Sequence, residues 1–571
     1  MHRFLTVAQA LTPAALALCQ RRRAKLARSR NEVGKPIPNP KPARIPETAA
    51  ILPVLSLWSA AWVWFFYRGG YLTYYGDAEA HLNIARRILD SRTPGYDELG
   101  SVWLPLPHVL TMLFARNDAL WRTALAGSIV SGVSFVLAGA FLYAAARRVF
   151  DGKAAATATL LVFAANPNLL YLQSTAMTEP LFMATAMAVL YFTVRFRDTQ
   201  SWWSVCGAGF AALCGTLTRY DGWFPLPFVA LFVLITARRQ RVAKAALFAA
   251  IACLGPLYWL GHNWWCCSNA LDFYNGPYSA KGIQGSAYYP GLHNWAQAWL
   301  YFRSAVRWCA GAPLLWLGGA GLMACAAVRK AWWPALLLLL PGVFYVWSMH
   351  SSGGTPIFLP DLWTRSYYNS RYGLALFPAL AFGAAALVSL APARGRRWAC
   401  AAAVLAAAAP WLIHPRPDAW ITWTESQVNS AARRAWTREA VAYLAPRYRR
   451  GSGVITTFGD ITGIFRTAGI PIRETLTWDN WPHWPAAVTR PDLFLWEEWA
   501  VVMGGDPVQT ALLRAGVRGP RYELMRIVMV PHAPVVEIYH CCIGLTPVEQ
   551  DANSIHQSAR SEKRLSADQE Q

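Results

Sequence analysis

The sequence predicts a polytopic α-helical membrane protein, with about 11 transmembrane helices and a C-terminal extracytoplasmic α/β domain. Three observations carry that expectation. Of the 571 residues, 55% are apolar and only 15% charged, where soluble proteins average ~25% charged. The apolar residues are gathered into unbroken blocks such as 154–165, 181–194 and 336–346, which excludes a disordered chain, a coiled coil and a small disulfide scaffold. The positive charge, finally, falls on alternate loops.

A bilayer core takes ~20 apolar residues as a helix. Candidate spans therefore fall near 49–67, 121–145, 154–172, 178–194, 202–219, 223–237, 245–262, 308–328, 332–349, 371–392 and 398–414. The apolar stretch 102–114 is interrupted by Pro105 and Pro107 and reads as a buried half-helix leading into the second span. With a cytoplasmic amino terminus, residues 1–48 and the inner loops (Arg147, Arg148, Lys153, Arg195 and Arg197 among them) hold +20 of the net +22. This is the positive-inside pattern, so the basic balance reports orientation and not a nucleic-acid partner. Residues 4–19 are apolar, but Arg21, Arg22 and Arg23 follow where a cleavage site needs small residues. The reading is a basic cytoplasmic segment, 1–48, and not a cleaved signal.

Cys206, Cys214, Cys253 and Cys325 lie inside spans, where they serve as small apolar residues. The vicinal pairs Cys266–Cys267 and Cys541–Cys542 fall outside, at spacings unlike those of a metal site. From about residue 415 the texture changes. Helices are expected at 431–448, 461–468 and 507–515, and strands at 453–457, 491–495, 522–530 and 535–540. That alternation predicts an α/β domain over 415–550. Gly451-Ser452-Gly453 and Gly504-Gly505 read as turns and not as phosphate loops. The polar tail 551–571 reads as disordered.

Chemistry is expected after the first span, in the outer loop 68–120. Asp77, His81, Ile84, Ala85 and Ile88 share one stripe at helical spacing, so a carboxylate lies on the face that the helix turns inward. Burying an unpaired charge is costly, although Asp77 as a simple helix cap stands equally open. Glu179 opens the fourth span, Arg219, Tyr220 and Asp221 join the fifth to the sixth, and Arg371 and Tyr372 begin the tenth. Each could be an interfacial anchor alone; two acids and two arginines on one leaflet suggest a site.

The ordered motifs Asp77-Ala78-Glu79, Trp103-Leu-Pro-Leu-Pro-His108, Thr178-Glu-Pro-Leu-Phe182, Leu217-Thr-Arg-Tyr-Asp-Gly-Trp223 and Arg371-Tyr-Gly-Leu-Ala-Leu-Phe-Pro378 resemble the GT-C glycosyltransferases. The resemblance spans about residues 50–390 and is strongest to the branch of protein O-mannosyltransferases and aminoarabinose transferases. It implies an inverting transfer of one sugar from a polyprenyl-phosphate donor to a glycan, lipid or protein acceptor outside a bacterial inner membrane. Asp77 would be the general base, with Glu79, His81 and Glu179 as supporting candidates. Arg219 and Arg371 would hold the donor phosphate, and Tyr220, Asp221 and Tyr372 would contact sugar. Asp77-Ala-Glu79 departs from the adjacent acidic pair of the O-mannosyltransferases. Because only one of its carboxylates lies on the stripe, the reading leans against an obligatory metal and leaves a divalent ion open. Trp478, Trp481 and Trp484 offer a sugar-stacking cluster, against the alternative that they are interfacial or core aromatics. A lipid or sugar flippase, and a catalytically degenerate assembly protein, are the competing functions; the clustering of charge at one interface, and not at the midplane, favours an enzyme.

Overall fold

The computed structural model describes residues 45–541, apart from 151, 327, 329, 352–355 and 458. The basic segment up to residue 44, Cys542 and the tail 551–571 lie outside the described residues. Among the described residues, five helices are long and apolar enough to cross a membrane: Ala50–Arg68, Leu125–Val149, Arg241–Cys267, Trp332–Ser351 and Ser370–Leu390. Shorter apolar helices cover Leu106–Ala115, Lys153–Ala164, Tyr220–Thr236 and Ala312–Ala324. The chain is an integral membrane protein.

Breaks in the expected spans have local causes. The span expected at 154–172 divides because Asn166 caps a new helix, accepting from the Leu169 N–H at 3.1 Å, with Pro167 in its first turn. The proline-marked stretch becomes the helix Leu106–Ala115, which starts after Pro105. The burial expected for it holds on one face, at Pro107, His108, Thr111 and Ala115, while Val109 and Leu113 on the other are exposed. Between the helices Pro167–Leu172 and Glu179–Thr199 the backbone is irregular yet buried. Non-helical backbone at such depth needs partners, and Ser128 and Ser131 supply them by donating to the carbonyls of Ser174 (2.6 Å) and Met177 (3.1 Å). Small residues on the Leu125–Val149 helix allow that close approach, and the break delivers Thr178 and Glu179 to the interior.

Beyond residue 415 a five-stranded sheet forms: β1 (Val454–Thr456), β2 (Thr475–Leu476), β3 (Trp499–Met503), β4 (Tyr522–Val528) and β5 (Val536–Cys541), in the order β2-β1-β3-β5-β4. β1 pairs in parallel with β2 and β3, and β5 antiparallel with β3 and β4. Alternating side chains feed two cores: Val454, Trp499 and Val501 on one face, and Ile455, Ala500 and Val502 on the other. One expected strand is corrected. Residues 491–494 form a short helix, Pro491–Phe494, because Pro at the first helical position is preorganised to begin one; the strand follows at Trp499–Met503.

Candidate active site

Asp77 lies in the first turn of the helix Gly76–Arg87. Its Oδ2 accepts from Arg371 Nη2 at 2.5 Å, and its side chain is 43% exposed. Arg371 belongs to the 3-10 turn Ser370–Leu376, which forms the first part of the apolar span Ser370–Leu390 and runs into the helix Phe377–Leu390. A Cβ at Gly373 would collide with the backbone of Ala305, so glycine lets the helix Trp295–Ala310 close against this turn. Arg371 also donates through Nε to Glu179 (3.0 Å) and through Nη1 to Glu425 (3.1 Å). Its guanidinium stands over the rings of Tyr75 and Tyr372, 5.0 and 5.3 Å from their centroids.

Arg219 arrives from another direction and meets the same glutamate. Its Nη1 donates to Glu179 Oε1 at 3.1 Å and Thr178 Oγ1 at 2.8 Å, its Nε to Asp221 at 3.2 Å, and its Nη2 to the Tyr345 hydroxyl at 2.8 Å. Tyr345 in turn donates to Asp221 at 3.0 Å. Glu179 Oε1 thus joins both arginines, and the structure brings together Asp77, Glu179, Arg219, Asp221, Arg371 and Tyr372. All but Asp77 line the polar end of a cavity whose remaining wall is largely apolar and includes Phe182, Met183, Leu337 and Leu338.

Glu425 is the residue that the sequence reading missed. It lies on the helix Ile421–Asn429 and is almost wholly buried. Its carboxylate accepts from the backbone N–H groups of Asn369 (3.1 Å) and Ser370 (2.7 Å), from the Ser370 hydroxyl and from Arg371. Asn369 adopts φ 54°, a left-handed turn that Asn tolerates and that turns both N–H groups toward the acid. Burial pushes the Glu425 carboxyl up, against the pull of Arg371 and Ser370. The buried stripe Ile421, Thr422, Glu425, Ser426 was the available signal.

Three expected site residues stand elsewhere. Glu79 turns to Arg466, whose Nε and Nη2 donate to its two oxygens at 2.6 and 2.7 Å. Burial alone would raise the Glu79 carboxyl, but the Arg466 guanidinium holds it below the usual carboxylate range. His81 does not bond to Asp77; its Nδ1 lies 2.8 Å from His108 Nε2 and its ring 4.4 Å from that of Trp103. Burial lowers the His81 imidazole to about 4, so it is neutral at ordinary pH. Tyr220 is a strut and not part of the cavity wall. Its hydroxyl donates to the Val102 carbonyl (2.6 Å) and accepts from Trp259 (2.8 Å), and its ring stacks on Phe273. In the tryptophan cluster, Trp478 packs edge-on against Tyr278, Trp484 donates to the Thr456 carbonyl, and only Trp481 is largely exposed. Among the described residues no group of three or more His, Cys, Asp or Glu is placed to hold a metal ion.

Residues 110–260, the stretch that contains Glu179 and Arg219, match the family model described as dolichyl-phosphate-mannose-protein mannosyltransferase. No curated protein matches the sequence. Among solved structures, ArnT from Cupriavidus metallidurans bound to undecaprenyl phosphate is similar, with a TM-score of 0.55 at 15% identity over 89% of this chain and 100% of that one. The apo state of that ArnT gives 0.49 at 15% identity, over 81% and 93%. The oligosaccharyltransferase of Archaeoglobus fulgidus with Zn and sulfate gives 0.41 at 12% identity, over 79% and 68%. With the family match in its membrane part and the architecture of ArnT along nearly its whole length, the chain carries the fold of the GT-C membrane glycosyltransferases.

Proposed function

We propose that the protein is an inverting glycosyltransferase that takes a sugar from a polyprenyl-phosphate donor and passes it to a hydroxyl acceptor on the outer side of the membrane. The carrying observation is that one half-exposed carboxylate, Asp77, pairs with Arg371, and that Glu179 joins Arg371 to Arg219 at the polar end of an apolar cavity. A lipid phosphate needs such a pair of surfaces: fixed cations for the head and a dry wall for the isoprenoid chain. The ArnT that shares this fold is bound to undecaprenyl phosphate. In this reading Arg219 and Arg371 take the phosphate, Tyr372 flanks it, and Asp221 and Tyr345 orient Arg219.

Without donor, Asp77 neutralises one arm of Arg371. An entering phosphate competes for Nη2, and Asp77 is the partner that yields. Glu179 and Glu425 are buried and each bind further donors, whereas water reaches Asp77. The exchange presents the guanidinium to the leaving group and frees the carboxylate for the acceptor. The acceptor oxygen then attacks the anomeric carbon and its proton passes to Asp77. The bond from that carbon to the phosphate oxygen breaks, its electron pair staying on the phosphate, where the arginines stabilise it. Direct displacement inverts the anomeric centre without a covalent enzyme intermediate. The two acids of Asp77-Ala78-Glu79 each face a different arginine, and in this scheme no step calls for a metal.

The same reading places the amino terminus in the cytoplasm, residues 415–550 on the outer side, and about 11 spans in a bacterial inner membrane. Purified protein incubated with a panel of polyprenyl-phosphate sugars tests the reaction. Free lipid phosphate and an inverted product are expected with at least one donor. Retention of configuration, or no release from any donor with acceptor-rich membrane extract present, overturns it.

A further inference from the structure

The helix that carries Asp77 is gripped along its length from the C-terminal α/β domain. At its start, Arg433 Nη2 donates to the carbonyls of Thr73 (3.2 Å) and Tyr74 (2.5 Å). A Cβ on Gly76 would stand 2.7 Å from Arg433 Nη1, so the missing side chain is what lets that guanidinium close. At Glu79, Arg466 makes its two-pronged pair, and its Nη1 donates to the Arg122 carbonyl at 2.5 Å. At the far end Asp479 takes Arg87 at 2.5 Å, and Arg473 takes Asp90 at 2.6 Å.

The middle contact differs from the others in what it controls. Residues two apart on a helix point about 200° apart, so holding Glu79 fixes the rotation of the helix about its axis. That rotation sets the direction in which Asp77 leaves it. A carboxylate about 6 Å from the axis moves by about 1 Å when the helix turns by about 10°. Misplacement on that scale costs catalysis about a hundredfold. Arg466 is suited to the task because its planar fork defines an orientation, which a point charge does not. The pair is buried on both sides, so solvent neither screens nor replaces it. Glu425, from the same C-terminal part of the chain, holds the other half of the Asp77–Arg371 contact.

Resting on the reading of Asp77 as the base, we infer that Arg466 is a positioning residue for it. Through Glu79 the C-terminal domain sets the rotation of the catalytic helix, and is thereby part of the catalytic apparatus. The test compares Arg466→Met, Arg466→Lys and Glu79→Gln with Arg92→Gln in the full-length protein. Arg92 pairs with Glu497 at 2.6 Å and joins the same two parts of the chain, but beyond the end of the helix.

Turnover and the affinity for undecaprenyl phosphate are read separately. Arg466→Met is expected to lower kcat by about tenfold to a hundredfold while lipid-phosphate Kd stays within about twofold. Arg466→Lys should restore part of kcat, the double variant Glu79→Gln/Arg466→Met should be no slower than Arg466→Met, and Arg92→Gln should match the parent. Wild-type kcat in Arg466→Met, or an equal loss in Arg92→Gln, overturns the inference, the latter by making the pair one brace among several. If Arg466→Met loses lipid-phosphate binding and so has not folded, Glu79→Gln decides: full kcat there overturns the inference, and reduced kcat at unchanged Kd supports it. An active Asp77→Asn would instead sink the reaction scheme; an inactive Asp77→Asn beside a fully active Arg466→Met sinks only the positioning role.

Discussion

Glu425→Gln removes one charge and one acceptor while keeping the shape of the side chain. The carboxylate serves four donors: the N–H groups of Asn369 and Ser370, the Ser370 hydroxyl and Arg371 Nη1. The glutamine would turn its NH2 toward Ser370, whose hydroxyl can rotate to accept, leaving the Ser370 N–H as an orphan. A buried unsatisfied donor costs about 1–3 kcal/mol, and replacing a charged acceptor to Arg371 by a neutral one costs about 1 kcal/mol more. The expected loss is therefore about 2–4 kcal/mol of stability, with a slower turnover because the turn that presents Arg371 loosens. Thermal unfolding in detergent and kcat for lipid-phosphate release, measured on the same preparation, read the two effects. If Glu425→Gln unfolds and turns over like the parent, the buried acid does not hold Arg371, and this account of the site fails at its base.

Replacing Arg219 or Arg371 by Met should raise donor KM and lower kcat/KM by about a hundredfold or more, since in the proposed scheme each removes a charge-assisted contact to the leaving phosphate; a loss confined to acceptor KM would speak against phosphate binding. Leu338→Trp, which narrows the apolar wall of the cavity, should raise KM for a long isoprenoid donor and spare a short-chain one; equal effects on both would place the chain elsewhere. Chelation with EDTA should leave turnover unchanged, and a loss restored by added divalent cation would contradict the metal-free scheme. The pH dependence of stability follows from His81, whose pKa is about 4 when folded and about 6.5 when unfolded. The unfolded chain binds the extra proton between those values, so this contribution is present above about 6.5 and lost as pH falls toward 4, a total of about 3 kcal/mol. His81→Asn should flatten the fall of Tm across that window; an unchanged slope would mean that the ring is not buried neutral.

The parts of the site that were legible in the sequence are those where charge interrupts grease. Asp77, Glu179, Arg219 and Arg371 stand at the ends of apolar blocks, and an ionisable group there is conspicuous because burying it is expensive. The same logic could not find Glu425 or Arg466, which lie in polar stretches where one more acid or arginine is unremarkable until a contact across 54 or 387 positions reveals its partner. Helical spacing placed Asp77 on the inward face, but could not tell that Glu79, two positions on, faces a different arginine. His81 was legible as a residue on the same stripe as Asp77, but not as one whose ring meets His108. Beyond residue 415, apolar runs gave three of the five strands, β1, β4 and β5, and not β2 or β3; the miss at 491–495 came from reading Pro-Asp-Leu-Phe for its apolar end and not for the proline that starts a helix there.

The central claim is that Asp77 exchanges Arg371 for the acceptor proton when lipid phosphate arrives, and Asp77→Asn tests it in one preparation. With the amide in place the Nη2 arm of Arg371 has lost its counter-charge while Glu179 and Glu425 keep theirs on the other arms, so undecaprenyl phosphate should bind at least as tightly as to the parent. Sugar transfer from a competent donor should meanwhile fall by about 10²-fold to 10⁴-fold. A variant that transfers at the parental rate, or one that no longer binds the lipid phosphate although it is folded, would contradict the account.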